Sequence, residues 1–379
     1  MSTCRKISVL YLIQTIAYGG IETAIINWLR KIDRSRFEVH LVCFANPGNT
    51  EAPFVEAAER QGLKVMKVPW SRRKPFLKSA RSVAGIIREK HVDILHTHNS
   101  YANWVGLITR WLVPVKIITT LYVWEKLEWK RNVQQTIDRY VIRSFDMVTA
   151  HCEKTYEQTR AFGIPSSRLR TLICGYESQR AADLSPEERI RRRRQKGIEN
   201  DHVLIANVAR LYPEKAQDFL LKCFRKVVDR YPQARLWILG VGPSEEYLKK
   251  CRSELGLDDT VEFLGFVSEL APLLSLVDIQ IDPARAAGVS LAICSGMAAG
   301  LPIIAANVGG LEEVLKHGRT GILVPKDDES GFVQAMLGLV ENREERLRIG
   351  AAARNFIEND YSLDSAVKRV EDVYLEIMR

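Results

Sequence analysis

At 379 residues, with 46% hydrophobic and 27% charged residues, the chain is too long for one ordinary core and too apolar for a disordered protein, so two globular domains are expected. The net charge of +9 is uneven: residues 1–180 hold 28 Lys+Arg against 15 Asp+Glu, and residues 181–379 hold 27 against 31. Either the first half faces something anionic, such as a phospholipid surface or a lipid-phosphate acceptor, or it is a solvated basic surface.

Seven cysteines, Cys4, Cys43, Cys152, Cys174, Cys223, Cys251 and Cys294, are scattered, odd in number and without a CxxC pair. That argues against a disulfide framework and a zinc site and suits a reducing, cytoplasmic compartment. Residues 1–6 are polar and the run at Ile7–Ile13 has no cleavage site behind it, so no secretory signal is read there.

Strands are expected at Ile7–Ile13, Phe37–Cys43, Lys64–Val68, Ile94–His98, Lys116–Thr120, Met147–Ala150 and Leu169–Ile173. Amphipathic helices at Glu22–Lys31, Pro53–Gln61, Lys78–Lys90 and Val133–Ser144 separate them, the pattern of βαβ crossovers and a parallel sheet. Ser185–Gly197 opens with Ser-Pro-Glu-Glu and carries Arg191–Arg194, a short linker helix whose arginines either line a solvated face or meet phosphates.

A second α/β set follows. Its strands are expected at Val203–Val208, Arg235–Leu239, Val261–Phe263, Ile279–Ile281, Ile303–Ala306 and Gly321–Val324. Helices fit Ala216–Arg230, Ser244–Leu255, Glu269–Ser275, Ser290–Ala299, Leu311–His317, Ser330–Glu341 and Glu344–Asn359. Residues 286–310 carry no charge, but their glycines and Pro302 read as a buried loop, helix and strand, not a membrane span. The fold expected is α/β, with two Rossmann-like doubly wound domains facing a cleft at the carboxyl ends of their strands. The boundaries read as 1–184, a linker helix at 185–200, 201–358, and a last helix at 359–379 crossing back to the first domain.

Three motifs carry chemistry. Gly19-Gly20, after the first strand and before a helix, lets backbone approach a ligand, although a plain tight turn fits as well. Arg210-Leu-Tyr-Pro-Glu-Lys215 places two cations at a strand end beside a helix start, which suits a metal-free diphosphate clamp, with a plain surface Arg–Lys pair as the alternative. Gly288-Val-Ser-Leu291 feeds another helix N-terminus and offers amides to an anion.

With Gly265-Phe266-Val267, Ser295-Gly-Met-Ala-Ala-Gly-Leu-Pro302 and Asn307-Val-Gly-Gly310, these motifs resemble the family 4 (group 1) retaining glycosyltransferases of the GT-B fold, along nearly the whole chain. The resemblance implies that Arg210 and Lys215 neutralise the donor diphosphate and the departing nucleotide. It further implies that Gly265, Phe266 and Val267 frame the base, that Gly288, Val289, Ser290 and Leu291 meet sugar and phosphate, and that Gly19 and Gly20 face the donor phosphates. The donor would be a UDP- or GDP-linked sugar, with no metal or other cofactor.

Three positions depart from the family pattern. Its Glu-x7-Glu pair is replaced by Ala287 and Ser295, so the sugar and ribose lose carboxylate contacts, and its histidine after the strand at Lys116–Thr120 is Tyr122. Tyrosine still bonds the donor but relays protons poorly near neutrality.

For the acceptor side, His98 and Asn99 at a strand end and Trp124 in an aromatic, basic stretch are the candidates; His96 and His98 lack a third metal ligand. Ser71–Lys78 clusters cations by an apolar pair, which suits either a bilayer surface or a solvated loop. The expected activity is transfer of a hexose to a hydroxyl of a glycan or lipid-linked acceptor with retention, weakened by Ala287 and Ser295. A non-catalytic nucleotide-sugar-binding or partner-binding relative and a nucleotide-sugar epimerase are the alternatives. Expected partners are the nucleotide-sugar, the acceptor and an anionic membrane touched peripherally at the inner face, with no nucleic acid.

Overall fold

The computed structural model describes residues 5–15, 20–46, 48–70, 76–122, 129–177, 184–267, 269–285 and 289–379, with side chains placed at all of these except 20 and 129–132. The chain forms two compact units, Met1–Gly175 together with Leu363–Arg379, and Tyr176–Ser362.

In the first unit strands and helices alternate: β1 (Ile7–Ile13), α1 (Gly20–Lys31), β2 (Phe37–Ala45), α2 (Ala52–Arg60), β3 (Val65–Pro69), α3 (Phe76–Glu89), β4 (Ile94–His98), α4 (Ser100–Leu112), β5 (Lys116–Leu121), α5 (Trp129–Ile142), β6 (Met147–Ala150), α6 (Glu153–Ala161) and β7 (Leu169–Thr171). Among the described residues the seven strands form one parallel sheet, ordered β3-β2-β1-β4-β5-β6-β7. Helices cover both faces, which is why β1 and β4 are buried at nearly every position instead of at alternate ones. α1 packs on α2, whereas α3 packs on α4 and α4 on α5. The order reverses between β1 and β4, so the loops leaving those two strands border the switch point of this sheet.

Asp138 of α5 is buried and receives Asn103 Nδ2 at 3.1 Å and Ser100 Oγ at 3.1 Å. Asn103 in turn accepts from the hydroxyls of Thr97 (2.6 Å) and Thr119 (2.8 Å), joining α5 to β4 and β5. Burial pushes the Asp138 carboxyl from 3.8 up to about 6, against the pull of the Asn103 and Ser100 bonds. With the folded value raised, the stabilising form is the protonated one: its contribution is complete below pH 3.8 and is lost as pH rises through about 6. Asp138→Asn, which keeps the shape and one acceptor oxygen and removes the charge, should therefore raise the melting temperature at pH 7.5 by roughly 5 °C, corresponding to about 2 kcal/mol, and change it little at pH 4. Calorimetry at the two pH values checks this; a loss of stability at pH 7.5 would count against the protonated reading.

The second unit contains α7 (Pro186–Arg194), β8 (Val203–Val208), α8 (Gln217–Arg230), β9 (Ala234–Leu239), α9 (Glu245–Glu254), β10 (Val261–Gly265), α10 (Leu270–Leu274), β11 (Ile279–Asp282), α11 (Leu291–Ala298), β12 (Ile303–Ala306), β13 (Ile322–Val324), α12 (Glu329–Glu341) and α13 (Arg343–Asn359). Its parallel sheet runs β10-β9-β8-β11-β12-β13, with the switch between β8 and β11. The apolar faces of α8 and α12 pack on each other and bury Phe224, Val227, Phe332 and Met336 in one core with residues of β8, β9, β12 and β13.

The arginine run of α7 divides into two roles. Ser185 caps the helix, and Arg191 and Arg192 pair with Glu188 on the exposed side. Arg189 and Arg193 instead point inward to Asp278 at 2.8 and 2.9 Å. The solvated-face expectation thus holds for Arg191 and Arg192 and fails for Arg193, which is buried.

A last helix, α14 (Leu363–Ile377), belongs to the first unit. Leu363, Ala366, Val367, Val370, Val373 and Tyr374 form its buried stripe. Lys31 Nζ to Asp364 (2.8 Å) and Arg170 Nε to Glu376 (3.0 Å) hold its two ends.

Sequence periodicity does not anticipate α4 or α6. α4 (SYANWVGLITRWL) holds one charge, so it lacks the polar face that marks a surface helix. The helix expected at Leu311–His317 is a single 3-10 turn, Leu311–Glu313, entered through Gly309 and Gly310 at φ of +61° and +85°.

Candidate functional site

In the second unit the carboxyl ends of β8, β9 and β10 are laced by backbone bonds. The loop leaving β8 gives Ala209 N→Leu239 O (3.0 Å) and Leu211 N→Val241 O (3.0 Å), and Gly240 N→Gly265 O (2.8 Å) continues the lacing to β10. A side chain at Gly240 would collide with the Ala209 carbonyl, and one at Gly242 with that of Leu211, so these glycines let two loops lie backbone to backbone. Gly240-Val-Gly242 directly after a strand was the sequence signal available for this contact.

Arg210 is exposed at this edge, with its guanidinium 5.0 Å from the centre of the Tyr212 ring. The carbonyl of Arg210 accepts from buried Gln217 Nε2 at 3.1 Å, and Asn207 Nδ2 bonds Ile281 O at 2.8 Å across the switch point. Lys215 ends a 3-10 turn, Pro213–Lys215, and Ala216, at φ +54°, turns the chain into α8. Arg285 N→Glu214 O (2.9 Å) ties that turn to the loop leaving β11. Burial raises the Asp282 carboxyl at the end of β11 above its ordinary range, and the charge of the Lys215 ammonium partly offsets that rise.

Gly265 ends β10 at φ +67°, and Phe266 beyond it is 76% exposed, with Val267 half-buried. Ser290 caps α11, its Oγ accepting from Ile293 N at 3.2 Å, and Val289 and Leu291 flank the cap. Ser295 lies one turn on: its Oγ donates to Leu291 O (2.8 Å) and meets Tyr176 OH at 2.9 Å. The hydroxyl at this position is thus occupied within its own unit, a contact that spacing could not reveal because Tyr176 lies 119 positions away. The sheet brings Arg210, Lys215, Gly265, Phe266, Val267, Val289, Ser290, Leu291 and Ser295 to the loops and helix starts along one carboxyl edge. Ala287 and Gly288 lie outside the described residues.

In the first unit, His98 ends β4 at the switch point and pairs in register with Ile13 and Thr120. It is fully buried, stacked on Tyr11 (5.5 Å, 12°), with Nδ1 2.9 Å from Tyr122 OH and with no partner for Nε2. Burial, with a smaller push from His96, holds its pKa well below the usual range, so the ring is neutral. His96 is likewise held down, to about 3, by burial. It bridges Tyr374 OH (2.7 Å) and Thr120 Oγ1 (2.8 Å), and Tyr374 hydrogen-bonds Tyr11. His96 is therefore a structural link between β4, β5 and α14.

Asn99 sits at φ +80°, ψ 163°, a conformation that costs about 1–3 kcal/mol for a non-glycine residue. Its side chain is spent locally, donating to Gln14 O at 2.6 Å and accepting from Ala102 N at 3.3 Å. Gly20 opens α1, while Gly19 and Trp124 lie outside the described residues. The 71–78 cluster is described only from Phe76 on, where Leu77 and Lys78 are exposed. Among the described residues no group of three or more His, Cys, Asp or Glu side chains is placed to share a metal ion, and no helix is long and apolar enough to cross a membrane.

Comparison with known proteins bears on this arrangement. Residues 18–180 match the family model for Glycosyltransferase Family 4, and residues 202–342 match that for Glycosyl transferases group 1, most of the chain between them. N-acetyl-alpha-D-glucosaminyl L-malate synthase of Bacillus anthracis is 23% identical over 304 residues, 79% of each chain. A GDP-mannose-dependent monoacylated alpha-(1-6)-phosphatidylinositol monomannoside mannosyltransferase of Corynebacterium glutamicum is 25% identical, covering 94% of each. The crystal structure of Anabaena HepE in complex with UDP superposes with a TM-score of 0.85 at 19% identity, over 97% of this chain and 99% of that one. A Rickettsia africae glycosyltransferase gives 0.82 at 18%, over 99% and 100%. The chain belongs to the family 4, group 1 glycosyltransferases and has two Rossmann-like α/β domains of the GT-B fold.

Proposed function

We propose that the protein transfers a hexose from a UDP- or GDP-linked sugar to a hydroxyl of a glycan or lipid-linked acceptor, with retention at the anomeric carbon. The observation that carries this reading is the Arg210–Lys215 loop, fixed by Gln217 and by the Gly240–Gly242 contact at the switch point of the second sheet. When the bond from the anomeric carbon to the diphosphate oxygen breaks, negative charge grows on the nucleoside diphosphate. Two cations and the amides at the start of α11 lie along the edge where that charge would develop. Exposed Phe266 offers its ring to the base. In the first unit Tyr122, held by His98, and the turn at Asn99 supply the acceptor side. Binding of UDP by HepE, and dependence on GDP-mannose in the mannosyltransferase relative, support a nucleotide-sugar donor without choosing the base.

One observation favours a second reading, a chain that holds the nucleotide-sugar but transfers it poorly. Ser295, where the resemblance implies a glutamate, has its hydroxyl engaged by Leu291 O and Tyr176 OH. The test is donor binding and turnover in the natural chain and in Ala287→Glu with Ser295→Glu. Restored carboxylates should raise transfer at least about tenfold, the equivalent of one charge-assisted hydrogen bond. Tight donor binding without a rise in transfer supports the second reading, and no donor binding in either chain refutes both.

A further inference from the structure

The hydrogens of the buried ladder behind His98 have one consistent direction. Tyr374 donates its hydroxyl hydrogen to Tyr11. A phenol has a single hydrogen, so the Tyr374 oxygen accepts from His96 Nδ1 at 2.7 Å. His96 is neutral, so its Nε2 carries only a lone pair, which accepts from Thr120 Oγ1 at 2.8 Å. Both ring nitrogens of His96 are thereby satisfied. His98, whose ring centre lies 4.3 Å from that of His96, repeats the residue but not the pairing. Its Nδ1 is 2.9 Å from Tyr122 OH, while Nε2 is enclosed and has no partner among the described residues. A buried ring nitrogen left bare is the exception in folded proteins and asks for a reason.

Two arrangements give the 2.9 Å contact. If Tyr122 donates to Nδ1, the neutral imidazole keeps its hydrogen on Nε2, where no acceptor meets it among the described residues. If Nδ1–H donates to the phenol oxygen instead, Nε2 holds only a lone pair. A buried donor without an acceptor is rarer than a bare acceptor, and the bond made at one ring nitrogen decides which nitrogen carries the proton. The second arrangement therefore fits this site. Its consequence falls on Tyr122, which is partly exposed beyond the end of β5 where His98 is not exposed at all. With Nδ1–H on its oxygen, the phenol hydrogen is turned away from the core. The residue is also held through its backbone, by Thr155 Oγ1 donating to the Tyr122 carbonyl at 3.1 Å. Burial lifts the Tyr122 phenol well above 10, so it keeps its hydrogen across the neutral range.

We infer that His98 is a positioning residue, protonated on Nδ1, that fixes the Tyr122 phenol as a hydrogen-bond donor to a neutral oxygen of the acceptor, a hydroxyl or ring oxygen of a polyol or glycan. The acceptor role rests on the proposed function; the protonation state does not. Long-range proton–nitrogen NMR spectra of the full chain labelled on histidine, with the His98 signals identified by their loss in His98→Asn, should show the hydrogen on Nδ1 and a bare Nε2. With p-nitrophenyl hexosides as acceptor probes and UDP-glucose or GDP-mannose as donor, Tyr122→Phe should lower kcat/KM for the hexoside about tenfold, the worth of one hydrogen bond, and leave KM for the donor unchanged. His98→Phe should lose as much, and the double variant no more than Tyr122→Phe alone, because His98 acts only through the phenol. His98→Asn, whose amide Nδ2 donates in place of Nδ1, should recover part of the loss. A hydrogen on Nε2, losses that multiply in the double variant, or a folded His98→Phe with full kcat/KM would overturn the inference and leave the transfer reading standing. A natural chain that glycosylates no hexoside although Nδ1 carries the hydrogen would overturn the acceptor role together with the proposed function. If His98→Phe does not fold, the spectra and Tyr122→Phe decide.

Discussion

Replacing Arg210 by alanine should weaken binding of UDP or GDP at least about tenfold, because one charge-assisted contact to a diphosphate is worth about 1.5–3 kcal/mol. The substitution is clean: Arg210 is exposed, its side chain only borders the Tyr212 ring, and the loop is held by its backbone carbonyl, which the alanine keeps. Folding should be unaffected while affinity falls. Titration calorimetry with the nucleoside monophosphate as comparator separates the diphosphate contribution, since the monophosphate should lose less. Arg210→Lys should recover part of the loss, because charge remains but the planar fork does not. Lys215→Ala is a harsher probe, since it also removes the positive charge that offsets the burial of the Asp282 carboxyl. An unchanged dissociation constant in Arg210→Ala would falsify the clamp.

The second large effect is on stability. Arg193→Met should cost the second unit about 3–5 kcal/mol, the usual penalty for removing one partner of a buried ion pair, and lower its melting temperature by roughly 10 °C. Arg193 is 3% exposed and makes three contacts at once: Asp278 Oδ2 (2.9 Å), Leu276 O (2.7 Å) and His202 O (2.7 Å). Asp278 Oδ2 also accepts from Leu204 N, so the pair fastens α7 to the amino-terminal ends of β8 and β11. Burial alone would raise the Asp278 carboxyl, but Arg193 and Arg189 overcome it and hold it below its ordinary range. With the folded value depressed, this stability is present above pH 3.8 and is lost as pH falls through the lower folded value, opposite in sign to Asp138. Thermal melts at pH 7 and pH 3 check both points. A melting temperature within a degree or two of the natural chain's at pH 7 would demote the pair to a surface contact.

Most of this architecture was legible in the sequence because strands buried on both faces are written as short runs rich in apolar and β-branched residues; Ile7–Ile13, Ile94–His98 and Val203–Val208 coincide with β1, β4 and β8. The two doubly wound folds followed from their alternation with helices. Periodicity was silent where a helix departs from the amphipathic rule: α4 has almost no charged residue, and α5 turns its carboxylate inward. The arginine run could not be apportioned from composition, since only tertiary packing separates Arg193, facing Asp278, from Arg191, facing Glu188. At the site, cations and glycines were visible as residue types at strand ends. Their supports were not: Gln217 beneath Arg210 depends on the turn between them, and Gly240 against Ala209 and Tyr176 on Ser295 are contacts between segments far apart in the chain.

The decisive experiment is photolabelling of the full chain with azido-UDP and azido-GDP, followed by peptide mapping. Covalent capture is expected within residues 209–216, 240–244, 265–267 or 289–295, suppressed by unmodified nucleotide and reduced in Arg210→Ala. Specific labelling confined to residues 5–175 would put the nucleotide on the other unit and overturn the assignment of the second sheet's carboxyl edge as the donor site.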